Sequence, residues 1–214
     1  MQKFSIKEAV KAGWELTKQN LGLMVGVVVV VVLVNLLPNM LTMLMEDGRN
    51  SSLEILAIPV MLVSWILNFL VSLGMIKVVL NVVDKKKTAI ADLFNGYPLL
   101  LNYIAGSIIY GLIVVGGFIL FIIPGIYFAI KYHFYSYYIV DKKMGPIEAI
   151  KASGKITKGI KLHLILFGIV LALLNLLGAL LFGIGLLITI PITAIAYAYV
   201  YRNLSKSSQS PATT

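Results

Sequence analysis

The sequence predicts an all-α fold, a polytopic transmembrane helix bundle of about six spans with amphipathic interfacial helices on its cytoplasmic side. Of the 214 residues, 59% are hydrophobic and only 13% are charged, whereas soluble domains carry about 25% charged residues. The mean hydropathy is +0.94. No cysteine is present, which excludes disulfides, thiol catalysis and cysteine-ligated metals.

The spans are predicted from the lengths of the apolar runs. A helix that crosses about 30 Å of hydrocarbon needs about 20 apolar residues. Runs at about 21–45 and 53–83 each predict one span, and two double-length runs each predict a hairpin, with spans at 99–123, 125–140, 162–182 and 185–201. The first hairpin turns at Gly116-Gly117 or Pro124-Gly125, of which we favour the second, and Gly183-Ile184-Gly185 offers the other turn. We expect residues 1–204 to form a single membrane domain, followed by a disordered polar tail at 205–214.

The distribution of basic residues predicts the orientation. Seventeen of the eighteen Lys and Arg residues lie on one side of the span pattern, and the opposite side carries only Arg49, beside Glu46, Asp47 and Glu54. The positive-inside rule therefore predicts a multi-pass protein of the cell (cytoplasmic) membrane with both termini in the cytoplasm, and an even number of spans agrees.

A short motif before the first span recurs 140 residues later. Glu8-Ala9-Val10-Lys11-Ala12 matches Glu148-Ala149-Ile150-Lys151-Ala152, and amphipathic helices are predicted at 5–19 and 146–160. Ser5 with Glu8 predicts a capping box at the first helix, and Gly145-Pro146 places proline in the first turn of the second. A weaker relative at 88–94 precedes the third span, which indicates three units of interfacial helix and transmembrane hairpin. These helices either form a lipid-sensing or partner-docking surface or only set the tilt of the following span.

A family resemblance accompanies the second copy of the motif. Pro124-Gly125 opens a span that ends at Asp141, and it is followed by Gly145-Pro146-Ile147-Glu148-Ala149-Ile150 with Ser153, Ile156, Thr157, Lys158 and Gly159. In this the chain resembles the bacterial family named for the membrane domain of glycerophosphoryl diester phosphodiesterases, and related six-helix membrane proteins whose function is largely unknown. The resemblance implies a six-helix membrane fold. Because the hydrolase of that family is a separate soluble domain, it implies no phosphodiesterase activity here.

Polar side chains inside the apolar runs are the other candidates for function. Lys131 precedes Asp141 by ten residues, about 15 Å along a helix; it snorkels to the interface, or it attracts an anionic lipid or solute in a wet cavity. Asn102 and Asn175, like Asn35 and Asn68, form interhelical hydrogen bonds or line a polar path.

No constellation predicts catalysis or a cofactor. His133 and His163 are the only histidines, too few for a metal site of three or four ligands. No serine has a visible base and acid partner. The sequence predicts a non-enzyme.

The sequence therefore favours a non-catalytic protein that binds or organises lipids or partners at the cytoplasmic face, and the expected partners are the bilayer and its anionic headgroups. A membrane-protein partner or a second copy of the chain stays open, whereas nucleic acid is not expected because the basic residues punctuate apolar runs. The candidate surface residues are Lys7, Lys11, Lys18, Lys151, Lys155, Lys158 and Lys161. The alternative is a small permease or exporter, including self-protection against membrane-active peptides, whose path is lined by Lys131, Asn102 and Asn175.

Overall fold

The computed structural model describes residues 4–46 and 51–209, and this part of the chain is 85% helical without strands, so the all-α prediction is confirmed. Arg49 and Asp47, the side chains of Glu46 and Glu54, and residues 210–214 of the expected tail lie outside the described residues. The helices are α1 Ile6–Gln19, α2 Leu21–Glu46, α3 Ser51–Val83, α4 Leu100–Leu120, α5 Ile122–Lys131, α6 Tyr135–Lys142, α7 Pro146–Ile156, α8 Lys161–Leu180 and α9 Leu186–Gln209.

Four segments of the described chain are long and apolar enough to cross a membrane. They are Leu21–Met40, Ile58–Val83, Ile90–Leu120 and Lys161–Leu180. The third includes two short 3-10 turns, Ile90–Leu93 and Tyr97–Leu99, which lead into α4. These segments indicate a membrane protein, and the count of six spans stays a prediction.

The segment expected to be the fourth span, 125–140, consists of two short helices instead of one. The chain reverses at the extended residue Phe121 (φ −166°, ψ 161°), so Pro124 lies in the first turn of α5, where a missing N–H costs no helical hydrogen bond. The Tyr110 hydroxyl of α4 donates to the carbonyl of Ala129 at 3.1 Å, which places α5 antiparallel to α4. After α5 ends at Lys131, three residues in turns precede α6.

The last hairpin continues further than expected. Its turn at 181–185 includes Gly183 with a φ of 77°, a left-handed conformation that glycine adopts without steric cost. Helix α9 then runs through Ser205 to Gln209, so the first five residues of the expected tail are helical. Ser205 is buried, and its hydroxyl donates to the carbonyl of Arg202 at 3.2 Å, so the first residue of the expected tail packs with the bundle.

The leading element of each sequence unit packs on the second helix of the preceding unit. Leu93, in the 3-10 turn of the second unit, lies against Gly74 of α3, and α7 packs on α6. Helix α1, which leads the first unit, packs on α9, the second helix of the third unit, with Gly13 against the carbonyl of Ile192. Since Ser5 shares a cavity with 203–207, α1 runs antiparallel to α9.

Candidate functional site: the basic end of the bundle

Arg202 joins the ends of three helices. Its guanidinium donates to the carboxylates of Asp84, just after α3, and Asp141, in the last turn of α6, each at 2.7 Å. The Tyr201 hydroxyl also donates to Asp141, at 2.9 Å. These contacts place 84–87, 141–143 and the end of α9 at one end of the bundle, which we name the basic end. It carries Lys85, Lys86, Lys87, Lys142, Lys143 and Lys206.

Arg202, Tyr201, Asp84 and Asp141, which we name the Arg202 cluster, hold the ends of three helices together. Burial opposes ionisation of Asp141, but the hydrogen bonds from Arg202 and Tyr201 and the charge of Arg202 outweigh it and hold the pKa of Asp141 below its usual value. Sequence reasoning missed this cluster. The available signal was that two of only nine acidic residues immediately end apolar segments.

Helix α7 presents a cationic stripe at this end. Lys151, Lys155 and Lys158 are exposed at helical spacing, with Glu148 as the acidic residue of the same exposed set. The opposite face is buried and consists of Ala149, Ile150, Ser153 and Ile156. The stripe therefore has three positive charges against one negative charge.

Helix α1 presents a more balanced surface. Lys7, Lys11 and Lys18 are exposed, but so are Glu8 and Glu15. Lys11 pairs with Glu15 at 3.7 Å. The buried face is made of the small residues Ala9, Gly13 and Thr17, and Trp14 is 53% exposed. Of the two faces, the one on α7 is the more cationic.

Two hydroxyls of α7 support the break between α5 and α6. Thr157 and Ser153 donate to the carbonyl of Lys131 at 2.9 and 3.2 Å, and Ser153 accepts from the amide of Phe134 at 3.0 Å. Backbone groups that an interrupted helix leaves without partners are satisfied in this way. Ser153 and Thr157, which contribute to the family resemblance, thus have a structural role here.

The break places Lys131 beside a second lysine. Its Nζ lies 5.8 Å from the ring centre of Tyr127 and 4.9 Å from that of Tyr132, and the Nζ of Lys161 lies 4.5 Å from the same Tyr127 ring. Lys131 and Lys161 are half-buried, whereas the other six candidate lysines are exposed. Those six are Lys7, Lys11 and Lys18 of α1, Lys151 and Lys155 of α7, and Lys158, two residues after α7 ends. We name Lys131 and Lys161 the cation pair.

An apolar cleft of about 340 Å³ is lined by residues that neighbour the cation pair along the chain, because Ile130 precedes Lys131 and Leu164 lies about one helical turn after Lys161. Ile130 lines the cleft on the side of α5, and Ile165 and Gly168 line it on the side of α8. His133 also lines it, with its ring 4.6 Å from that of Tyr197. We name this feature the apolar cleft.

The intramembrane asparagines form contacts between helices. Asn68 donates to Asn35 at 2.7 Å across α2 and α3, and Asn175 donates to Thr193 at 3.0 Å across α8 and α9, so the interhelical bonds predicted for these residues are confirmed. Asn102 is half-buried in the first turn of α4. Neither Asn102 nor Asn175 lines the apolar cleft. The cleft therefore does not bring these two residues together with Lys131 on one path.

Comparison with known proteins places the chain beside mycobacterial relatives. Over 137 residues it is 35% identical to an uncharacterized protein of Mycobacterium bovis and 35% and 34% identical to uncharacterized proteins of two Mycobacterium tuberculosis strains. The match covers 62% of this chain and 40% of each relative, so the chain spans less than half the length of these relatives. No family model matches the chain, and the resemblance to the phosphodiesterase membrane domain stays a prediction. No solved structure matches it either.

Proposed function

We propose that the protein is a non-catalytic, multi-pass protein of the cytoplasmic membrane that binds anionic lipid headgroups through its basic end. The proposal places both termini in the cytoplasm, with α1 and α7 at the interface. The positive-inside rule supports this orientation, because the lysine-rich segments at 85–87 and 142–143 are joined through the Arg202 cluster.

Six spans are proposed on helix lengths. Helix α4 has 21 residues, and at about 1.5 Å per residue its length approaches the 30 Å of a bilayer core. The predicted fourth span, 125–140, lies in α5 and α6, and α5 returns along α4. Helices α8 and α9 have 20 and 24 residues, and they form the last hairpin in this proposal.

The exposed stripe of Lys151, Lys155 and Lys158 is the observation that carries the function. Each basic residue near an anionic membrane surface contributes about 1 kcal/mol. Only Glu148 offsets the stripe, whereas Glu8 and Glu15 offset the lysines of α1. We therefore expect α7 to contribute most of the preference for anionic lipid.

Lipid titration with native mass spectrometry tests the function. In the triple variant Lys151→Gln, Lys155→Gln and Lys158→Gln, the preference for phosphatidylglycerol over phosphatidylcholine should fall at least about tenfold, given the contribution of each basic residue. The matched variant with Lys7, Lys11 and Lys18 changed to Gln should lose less. An unchanged preference in the α7 variant would reject the proposal.

Labelling of single cysteines tests the orientation, and the native chain contributes no background because it has no cysteine. Lys87→Cys and Lys158→Cys should both react with a membrane-impermeant maleimide added from the cytoplasmic side. Reaction from opposite sides would overturn the arrangement.

A further inference from the structure

We propose that the cation pair and the apolar cleft together form a binding site for a single anionic glycerophospholipid. The phosphate lies on Lys131 and Lys161, and one acyl chain enters the cleft between α5 and α8. This inference deepens the proposed function and rests on it, since it names one lipid class and one site beside α7.

The two lysines are suited to an anion because no acidic side chain neutralises them. Among the residues that the structure describes, neither Lys131 nor Lys161 forms an ion pair with a carboxylate. Both ammonium groups lie within 6 Å of the centre of the Tyr127 ring, so both charges surround one side chain. Tyr127 is 42% exposed, which leaves the surroundings of this ring open to a ligand.

The position of Lys131 is fixed by the backbone. Thr157 and Ser153 bind its carbonyl oxygen, and α5 ends at this residue. The backbone from which the Lys131 side chain extends is therefore constrained. A site whose backbone is ordered before binding loses less entropy when the ligand arrives.

The cleft is suited to a hydrocarbon chain. Its volume of about 340 Å³ lies at the lower end of the range of about 300–1,000 Å³ for small-molecule pockets, which suits part of a lipid. The Tyr110 hydroxyl lies on the wall of the cleft, and its hydrogen-bond donor is already used because it donates to the carbonyl of Ala129. Ile169 and Ala172, which also line the cleft, are exposed. The cleft thus opens sideways on α8, one of the segments apolar enough to span a membrane, where a lipid chain can enter.

Gly168 provides a way to fill the cleft. A Cβ built at this residue meets only the Tyr197 hydroxyl, at 3.5 Å, which is an ordinary contact. The Cβ of a leucine at this position therefore meets no backbone atom within 4 Å, and because Gly168 lines the cleft, the larger side chain should fill part of it. Gly116 of α4 is a matched control, because a Cβ there meets nothing within 4 Å.

The experiment measures binding of the first dioleoyl phosphatidylglycerol to the purified full chain in micelles. The variant with Lys131→Gln and Lys161→Gln should bind it roughly 25-fold more weakly, since each basic residue near an anionic surface contributes about fivefold. Gly168→Leu should weaken binding of phosphatidylglycerol and phosphatidylcholine alike, and Gly116→Leu should weaken neither.

Three results would overturn the site. The first is unchanged binding of the first lipid in the variant with Lys131→Gln and Lys161→Gln. The second is unchanged binding of the first lipid in Gly168→Leu, when this variant has native helical content. The third is displacement of the lipid by millimolar sn-glycerol 3-phosphate with no effect of Gly168→Leu, which would identify a site for soluble phosphate. The variant with Lys131→Arg and Lys161→Arg, which keeps both charges, should bind nearly as tightly as the native chain.

The site and the proposed function fail in different ways. If the α7 triple variant loses the preference for phosphatidylglycerol while the cleft and cation-pair variants keep native binding, the site is wrong and the function stands. If the native chain shows no preference for phosphatidylglycerol over phosphatidylcholine, both are wrong.

Discussion

Replacement of Arg202 by leucine should be among the most damaging single changes at the basic end. The side chains of Arg202, Asp84 and Asp141 are 14%, 22% and 12% exposed, so the cluster is largely but not fully buried. Removing one partner of a buried ion pair costs about 3–5 kcal/mol, because the other partner keeps an uncompensated charge. Two carboxylates lose their shared cation here. Lys86, at 3.3 Å from Asp84, and Lys142, at 3.4 Å from Asp141, still compensate them in part, and partial exposure also moderates the cost, so we expect a loss of about 3 kcal/mol, at the lower end of the range.

Reversible unfolding in mixed dodecylmaltoside and SDS micelles measures this loss. Lys206→Leu, at an exposed position on the same helix, is the control and should change the free energy of unfolding by less than about 0.5 kcal/mol. Adding Asp84→Asn and Asp141→Asn to the Arg202→Leu variant should recover part of the stability, because the buried charges are then removed together. The reasoning is refuted if Arg202→Leu costs less than about 0.5 kcal/mol, or if the triple variant is no more stable than Arg202→Leu.

The same cluster gives a dependence on pH with a defined sign. Asp141 has a pKa in the folded chain below its ordinary value of 3.8. Its contribution is therefore complete above about pH 4 and is lost as the pH falls further, through the folded pKa. The stability difference between the native chain and Asp141→Asn should be constant from about pH 8 to 5 and shrink below about pH 4.

The remaining predictions use the same unfolding assay. Gly13→Leu should cost about 1–3 kcal/mol, because a Cβ there lies 2.6 Å from the carbonyl oxygen of Ile192; Gly22→Leu, with nothing within 4 Å, is the control, and equal effects would contradict the α1–α9 contact. Thr157→Val should cost about 1–2 kcal/mol through the lost bond to the Lys131 carbonyl. Asn68→Leu should cost about 0.6–1.7 kcal/mol, and its effect should vanish in an Asn35→Leu background.

Local features of the fold were predictable from the sequence because their causes are local. The amide of Glu8 donates to the Ser5 hydroxyl at 3.2 Å, as half of the predicted capping box requires. Pro146 occupies the first turn of α7 after Gly145. The apolar runs likewise gave the all-α class and the membrane location, because hydrocarbon thickness sets their length.

The break at 132–134 was not predictable in this way. Hydropathy does not distinguish one apolar helix of sixteen residues from two shorter ones. The break depends on Ser153, which is 19 residues beyond Phe134, and on Thr157, which is 26 residues beyond Lys131. The bond between Arg202 and Asp84 likewise joins residues 118 positions apart. The candidate site therefore depends on tertiary contacts that composition and periodicity do not encode.

The two copies of the repeated motif meet different partners, and this difference accounts for their differences in sequence. Helix α7 packs beside an interrupted helix, where Ser153 satisfies backbone groups of the break. Helix α1 packs on α9, which runs without a break from Leu186 to Gln209, and its equivalent position is Gly13, which permits close approach. The break between α5 and α6 ends α5 at Lys131, and Lys131 and Lys161 both lie near the Tyr127 ring. A lipid site built on the cation pair therefore belongs to one of the three junctions between units, even though all three share an architecture.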